Sequence, residues 1–131
     1  MIEEGRALFL QIAESVENSI IDRSLGEEAQ APSTNELAAF YRINPATAAK
    51  GVNMLVDKGV LYKRRGIGMF VAPGARGLLL AERRTAFADR YLDPLLAEAR
   101  KLGLGPEDLS RLIHDRAALA SDSSDTEGPT R

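Results

Sequence analysis

Between Arg42 and Arg65 the chain carries six basic side chains, Arg42, Lys50, Lys58, Lys63, Arg64 and Arg65, against the single acid Asp57, a local balance of +5. Residues 1–41 carry two basic and eight acidic side chains and the rest of the chain nine against ten, so the net charge of −2 conceals a segregated charge. Exposed charges are screened beyond about 8–10 Å at physiological salt, and affinity for phosphate therefore follows the local field. A polyanion is the ligand class this middle segment suits. Within it, Lys50 can bond a guanine edge or a phosphate, and Thr47 can hydrogen-bond a base or touch a thymine methyl. Other chemistry finds little support. The chain has no cysteine, which excludes disulfides and thiolate metal sites, and His114 is the only histidine. No nucleophile–base pair, metal cluster or phosphate loop is present, and Gly66-Ile67-Gly68 is too brief for a nucleotide motif. No catalytic residue, metal or cofactor is expected.

The elements that must hold these side chains are legible in the pattern. Leu8, Ile12, Val16 and Ile20 stand four apart, with Phe9, Ala13 and Ile21 beside them, predicting an amphipathic first helix over about residues 7–23. Residues 24–32 read as a loop with a short strand near Ala29 to Ala31. Ser33-Thr34-Asn35-Glu36 is a capping-box pattern opening a short helix from Thr34 to Tyr41 that buries Leu37, Ala38 and Tyr41. Asn44 as cap and Pro45 in the first helical position start a third helix, with Ala48, Val52, Leu55 and Val56 as its buried stripe and Gly59 at its end. Two short helices joined by three or four residues make a helix-turn-helix. Val60 to Arg64 and Met69 to Val71 are β-favouring runs around a turn in which Gly66 and Gly68 permit positive φ, so a hairpin with the basic tip Lys63, Arg64 and Arg65 follows as a wing.

From residue 77 to 102, Leu78, Ala81, Thr85, Ala88, Leu92, Leu95, Ala99 and Leu102 are spaced three and four apart. Pro94 predicts a kink near Arg90 to Asp93. A helix of this length spans about 39 Å at 1.5 Å per residue, more than a small winged domain covers, so the seam predicts a second copy of the chain as its partner. Gly103-Leu104-Gly105-Pro106 ends it and starts a last helix to about Leu119, whose apolar face is Leu109, Leu112, Ile113 and Ala117. Ser121 to Arg131 is polar and unpatterned and reads as a disordered tail.

Taken as strings, "LFLQIAESVENSI", "PSTNELAAFYRINPATAAKGVNMLVDKGVLYKRRGIGMFVA" and "LDPLLAEARKLGLGPEDLSRLI" resemble the GntR-type transcription regulators, and within them the short YtrA-like subfamily, over about residues 7 to 117. The "NPAT" segment and the "KRRGIGMFV" wing carry the resemblance. It implies an N-terminal winged helix that binds operator DNA and a short two-helix region that dimerises, in a subfamily whose members often control transporter operons. Two positions depart from the family pattern. Asn35 stands where the family often has arginine, and Ala49 where it often has arginine or glutamine, so operator sequence does not carry over.

The expected fold is mostly α (α+β), with a winged helix-turn-helix over residues 1–74, a helical hairpin for dimerisation over 75–119 and a tail over 120–131. The expected DNA contacts are Ser33, Thr34 and Asn35 at the start of the second helix, Asn44, Pro45, Ala46, Thr47 and Lys50 at the start of the third, and Lys63, Arg64, Arg65, Gly66 and Gly68 in the wing. Free N–H groups near Ala46 suit a phosphate. The dimer seam is Leu78, Ala81, Ala88, Leu92, Leu95, Ala99 and Leu102. These assign the partners as double-stranded operator DNA and a second copy of the chain, and the function as transcription regulation, in the sense of repression. A degraded winged helix serving as a protein-interaction module is the alternative, discriminated by a DNA pull-down. The C-terminal region is too small to enclose a ligand, which leaves an unidentified small-molecule effector only the space between domains or subunits. No apolar run reaches the roughly 20 residues needed to span a bilayer, and the acidic start Met1-Ile2-Glu3-Glu4 does not suit a signal peptide, so the expected location is the cytoplasm.

Overall fold

The computed structural model describes the backbone of residues 7–127 and the side chains of residues 7–121. Helix α1 is Leu8–Ile21, α2 Thr34–Tyr41 and α3 Pro45–Lys58; strands β1, Leu61–Arg64, and β2, Gly68–Val71, follow, then α4, Ala75–Phe87. A π-helical turn, Ala88–Leu92, leads into α5, Asp93–Lys101, and the last helix, α6, is Pro106–Glu127. Two compact units divide the chain, the first ending at Arg84 and the second starting at Thr85.

The first unit, the head, is built on one apolar cluster. Ile12, Val16 and Ile20 of α1, Leu37 of α2, Val52 and Leu55 of α3, Leu61 and Val71 of the hairpin, and Ala75 and Leu79 of α4 are all buried in it. Leu8, at the open end of the α1 stripe, stays exposed. Helices α1 and α3 approach closely at Gly51, where a Cβ would lie 2.7 Å from the carbonyl oxygen of Phe9 and 3.3 Å from Ile12 Cβ. Strands β1 and β2 pair antiparallel with Leu61 opposite Val71 and Arg64 opposite Gly68. The strand expected near Ala29 to Ala31 is present as a bridge from Gln30 to Phe70, in which Ala31 N donates to Met69 O at 2.8 Å and Val71 N to Ala29 O at 2.9 Å.

Residues 75–84 belong to the head, although the periodicity groups them with the helical region. Helix α4 is apolar on two faces: Ala75 and Leu79 enter the head's core, and Leu78 and Ala81 on the other face stay exposed.

In the second unit the break expected before Pro94 takes the form of the π turn, where Asp93 N donates to Ala88 O. A proline lacks the N–H for the ordinary helical bond and its ring crowds the carbonyl four residues earlier, and widening the preceding turn accommodates both. Gly103, at φ 73°, ends α5, and Leu104 N returns to Ala99 O at 2.9 Å. Asp108 Oδ2 accepts from Gly105 N at 2.8 Å and so starts α6. That helix continues to Glu127, past Ser121 where the composition suggests a disordered tail. The physical reason is in the sequence: small and polar residues weaken a helix but do not break it, and the first breakers after Pro106 are Gly128 and Pro129. Residues 128–131 lie outside the described residues.

Candidate nucleic-acid interface

Local hydrogen bonds settle how the helix-turn-helix is presented. Ser33 Oγ accepts from Glu36 N at 3.0 Å while Ser33 N donates to Glu36 Oε1 at 2.8 Å, which closes the capping box and fixes the first turn of α2, with Ser33 and Asn35 exposed and Thr34 half-buried. Arg42 takes the left-handed conformation, φ 57°, to end α2. Two residues later Asn44 Oδ1 accepts from Ala46 N at 2.7 Å and Asn44 O from Thr47 N at 3.0 Å. The N–H groups near Ala46, expected to be free for a phosphate, are thus already bonded to Asn44, and what this helix end offers outward is side chains. Asn44, Pro45, Ala46 and Lys50 are exposed and Thr47 is half-buried.

The wing turn has the geometry that its glycines allow: Gly66 at φ 77° and Gly68 at φ 145°. Gly68 also makes room for Gln30, whose Nε2 would lie 2.6 Å from a Cβ there and which donates to Ile67 O at 3.0 Å.

Charge is distributed differently from the count along the sequence. Lys58 Nζ lies 2.6 Å from Glu17 Oε2 and 2.9 Å from Glu82 Oε1, and Arg83 donates to Asn18 Oδ1 at 2.6 Å, a network that joins α1, α3 and α4. The side chain of Glu17 is 11% exposed and that of Lys58 27%. Burial alone would lower the Lys58 ammonium, but the hydrogen bonds and charges of Glu17 and Glu82 outweigh it and hold its pKa above the ordinary lysine value. Arg64 is also engaged. Its guanidinium lies 4.1 Å from the Phe70 ring centroid, donates to Tyr62 Oη at 2.8 Å and stands 3.4 Å from Glu28 Oε1. Lys50 Nζ sits 4.1 Å above the Phe9 ring. Three of the six cations therefore have internal partners. Among the described residues, Arg42, Lys63 and Arg65 have no ion-pair or ring partner and are exposed.

Alternation along β1 separates two of these roles. Lys63 shares a sheet face with the core residue Leu61, whereas Arg64 shares the other face with Tyr62, which reaches Glu28. Sequence reasoning gave Phe9 and Glu28 no part in the interface and counted Arg42 only toward the charge of the basic segment. Arg42 had a signal, since it is a cation in the turn between two capped helices; the contacts of Phe9 and Glu28 depend on packing alone.

Of the expected seam, Leu78, Ala81, Leu92, Leu95 and Leu102 are exposed and Ala88 is half-buried. Ala99 departs from the expectation: at 3% exposure it is buried within the chain itself, as is Leu109. Leu112 and Ile113, assigned by periodicity to the apolar face of the last helix, are exposed together with Phe87, Tyr91 and Leu96. No group of three or more metal-capable side chains occurs among the described residues, and no described helix is long and apolar enough to cross a membrane.

The head's order of elements, from α1 through the capped helix pair to the hairpin, is matched over residues 8–71 by the family "Bacterial regulatory proteins, gntR family". The chain is a GntR-family DNA-binding transcription regulator. It is 24% identical over 107 residues to the HTH-type transcriptional regulator YhcF of Bacillus subtilis (strain 168), covering 82% of this chain and 87% of that one. Among solved structures it is similar to a GntR-family transcriptional regulator from Bacteroides thetaiotaomicron, with a TM-score of 0.74 and 27% identity over 87% of this chain and 99% of that chain. A transcriptional regulator from Oenococcus oeni is alike to the same degree, with a TM-score of 0.74 and 26% identity over 89% of this chain and 96% of the other. Both likenesses extend well beyond residue 71, so the GntR-family regulator resembles these proteins through its second unit as well as its head.

Proposed function

We propose that this GntR-family regulator is a cytoplasmic repressor of the short YtrA-like subfamily, which occupies a pseudo-palindromic operator as a homodimer. The observation that carries the reading is that Arg42, Lys63 and Arg65 stand exposed and, among the described residues, unpaired, on a helix-turn-helix and wing whose other cations are engaged. Cations without an internal partner are the ones an external polyanion can neutralise. In this reading the exposed start of α3 enters the major groove. Thr47 and Lys50 meet base edges there, beside Asn44, Pro45 and Ala46. Ser33, Thr34 and Asn35 approach the backbone from the first turn of α2, and Lys63 and Arg65 follow it from the wing, where Gly66 and Gly68 keep the turn tight.

Dimerisation is supported by the second unit. Ala99 and Leu109 are its two buried apolar side chains among the described residues, while Leu92, Leu95, Leu96, Leu102, Leu112 and Ile113 are exposed. An apolar surface so placed is covered economically by a second copy, and a two-fold pair presents two heads to two half-sites. Ala88 of the π turn belongs to the same unit, and Leu78 and Ala81 are exposed on the part of α4 that belongs to the head.

The test is a fluorescence-anisotropy titration with operator-length duplexes selected from the source genome, paired with sedimentation to fix the number of copies bound. With three such cations per head and two heads, Arg42, Lys63 and Arg65 alone should contribute on the order of −5 to the slope of log affinity against log salt. Flat salt dependence, or one copy per operator, overturns the proposal.

A further inference from the structure

Glu28 is held where few residues would settle. Its backbone is left-handed, φ 67°, and its N–H donates to Val71 O at 2.8 Å, so the residue is pinned to the edge of the hairpin. A non-glycine residue in that conformation persists when its surroundings over-determine it. Its side chain supplies part of that determination. Tyr62 Oη donates to Glu28 Oε1, and the Arg64 guanidinium, 3.4 Å from the same oxygen, also donates to Tyr62 Oη. The guanidinium is backed by the Phe70 ring at 4.1 Å and flanked by the Tyr62 ring at 5.6 Å. A hydroxyl and a guanidinium, oriented by two aromatic rings, converge on one anionic oxygen.

That donor set does not depend on the anion being a carboxylate. A phosphate oxygen accepts from the same hydroxyl and guanidinium, and arginine suits phosphate as well as carboxylate. We infer that Tyr62 and Arg64 form an anion site for a nucleic-acid phosphate, which Glu28 occupies in the free protein and from which DNA displaces it. The inference rests on the DNA-binding reading and extends it, because it gives Arg64 a backbone contact that is made only after an intramolecular one is broken. The exchange is isoelectric at the site: one anionic oxygen leaves as another arrives, so Arg64 is never left without a counter-charge. Both partners are half-exposed, at 44% and 51%, so the pair is weak enough to be displaced.

The experiment is a double-mutant cycle on the full chain with a fluorescein-labelled mixed-sequence duplex of about 30 base pairs at about 50 mM salt, conditions under which backbone contacts dominate binding. Glu28→Gln keeps the size and an acceptor oxygen for Tyr62 but removes the charge. In the wild-type background it should tighten binding about two- to fivefold, the scale on which an exposed ion pair competes. In the Arg64→Ala background the same substitution should give at least about twofold less gain, and Arg64→Ala alone should reduce the salt slope by about 0.9 per head. An equal gain in both backgrounds means that Glu28 acts only through its general field, and a loss in the wild-type background means that it holds Arg64 in a binding pose; either overturns the inference. Wild-type protein that binds no duplex overturns the DNA-binding reading as well, whereas a failed cycle with wild-type binding intact overturns only the exchange. Thermal melting of Glu28→Gln within a few degrees of wild type excludes misfolding as the source of any change.

Discussion

The two units of the chain use their apolar side chains in opposite ways. In the head, helices, hairpin and the start of α4 converge on one buried cluster that runs from Ile12 to Leu79. In the helical unit, Ala99 and Leu109 are buried while large side chains such as Phe87, Leu95 and Ile113 remain exposed. Burial of a large apolar side chain contributes about 1.5–3 kcal/mol, so the head can hold its own fold while the helical unit leaves much of its stabilisation unrealised within one chain. The contrast suits a division in which one part keeps a rigid surface and the other completes itself on another molecule.

The sharpest way to break that comparison is a core truncation in the head. Leu55→Ala, at a fully buried position of α3, should cost about 2–5 kcal/mol in urea unfolding. A polar change in the helical unit should behave in the reverse manner. Leu95→Glu should leave the head's unfolding stability within about 0.5 kcal/mol of wild type, as surface substitutions do, yet convert the proposed dimer to monomer in sedimentation at micromolar concentration. If Leu95→Glu unfolds the head as Leu55→Ala does, the two units are one cooperative body and the contrast fails.

A smaller effect is expected from the ion network that ties α1, α3 and α4 together. Lys58→Met leaves Glu17 nearly buried without its main counter-ion. The expected cost is about 1–3 kcal/mol, below that of a fully buried pair because Lys58 is partly exposed. The same contact predicts a pH dependence. Since the folded-state pKa of Lys58 is raised above its unfolded value, its contribution is fully present below the unfolded pKa and is lost as pH rises through the folded one. Urea midpoints of the wild-type head should therefore decline above about pH 10.5 more steeply than those of Lys58→Met. Gly51→Ala should cost a similar amount, about 1–3 kcal/mol, because its Cβ would meet the Phe9 carbonyl oxygen at 2.7 Å and backbone must shift to make room. On the binding side, Arg65→Ala should weaken all duplexes alike, whereas Lys50→Ala should also alter sequence preference; anisotropy against two unrelated duplexes separates the two.

Much of the head was legible because its signals are local. Ser33 and Glu36 cap each other across three residues, Asn44 bonds the N–H two residues on, and Gly59, Gly66 and Gly68 take the positive φ that their turns demand. Pro94 likewise announced the disturbed turn before it. The site was legible only in outline. Summing charge over residues 42–65 marked a basic segment but overstated what it offers, since Lys58 and Arg64 are bound to Glu17 and Glu28 and Lys50 rests on Phe9. Periodicity marked Ala99 as a seam residue for the same kind of reason: it reports that a face is apolar and leaves open which neighbour covers it.

By itself, the order of residues determined where helices start and stop, where the wing turns and which segment is basic, because caps and turns are satisfied by neighbours a few positions away. Tertiary structure decided which cations remain available and which apolar faces remain uncovered. Those outcomes depend on contacts between residues as far apart as Glu17 and Lys58, 41 positions along the chain, or Glu28 and Arg64, 36 positions apart, and only folding brings such pairs within the few ångströms over which their charges and surfaces act.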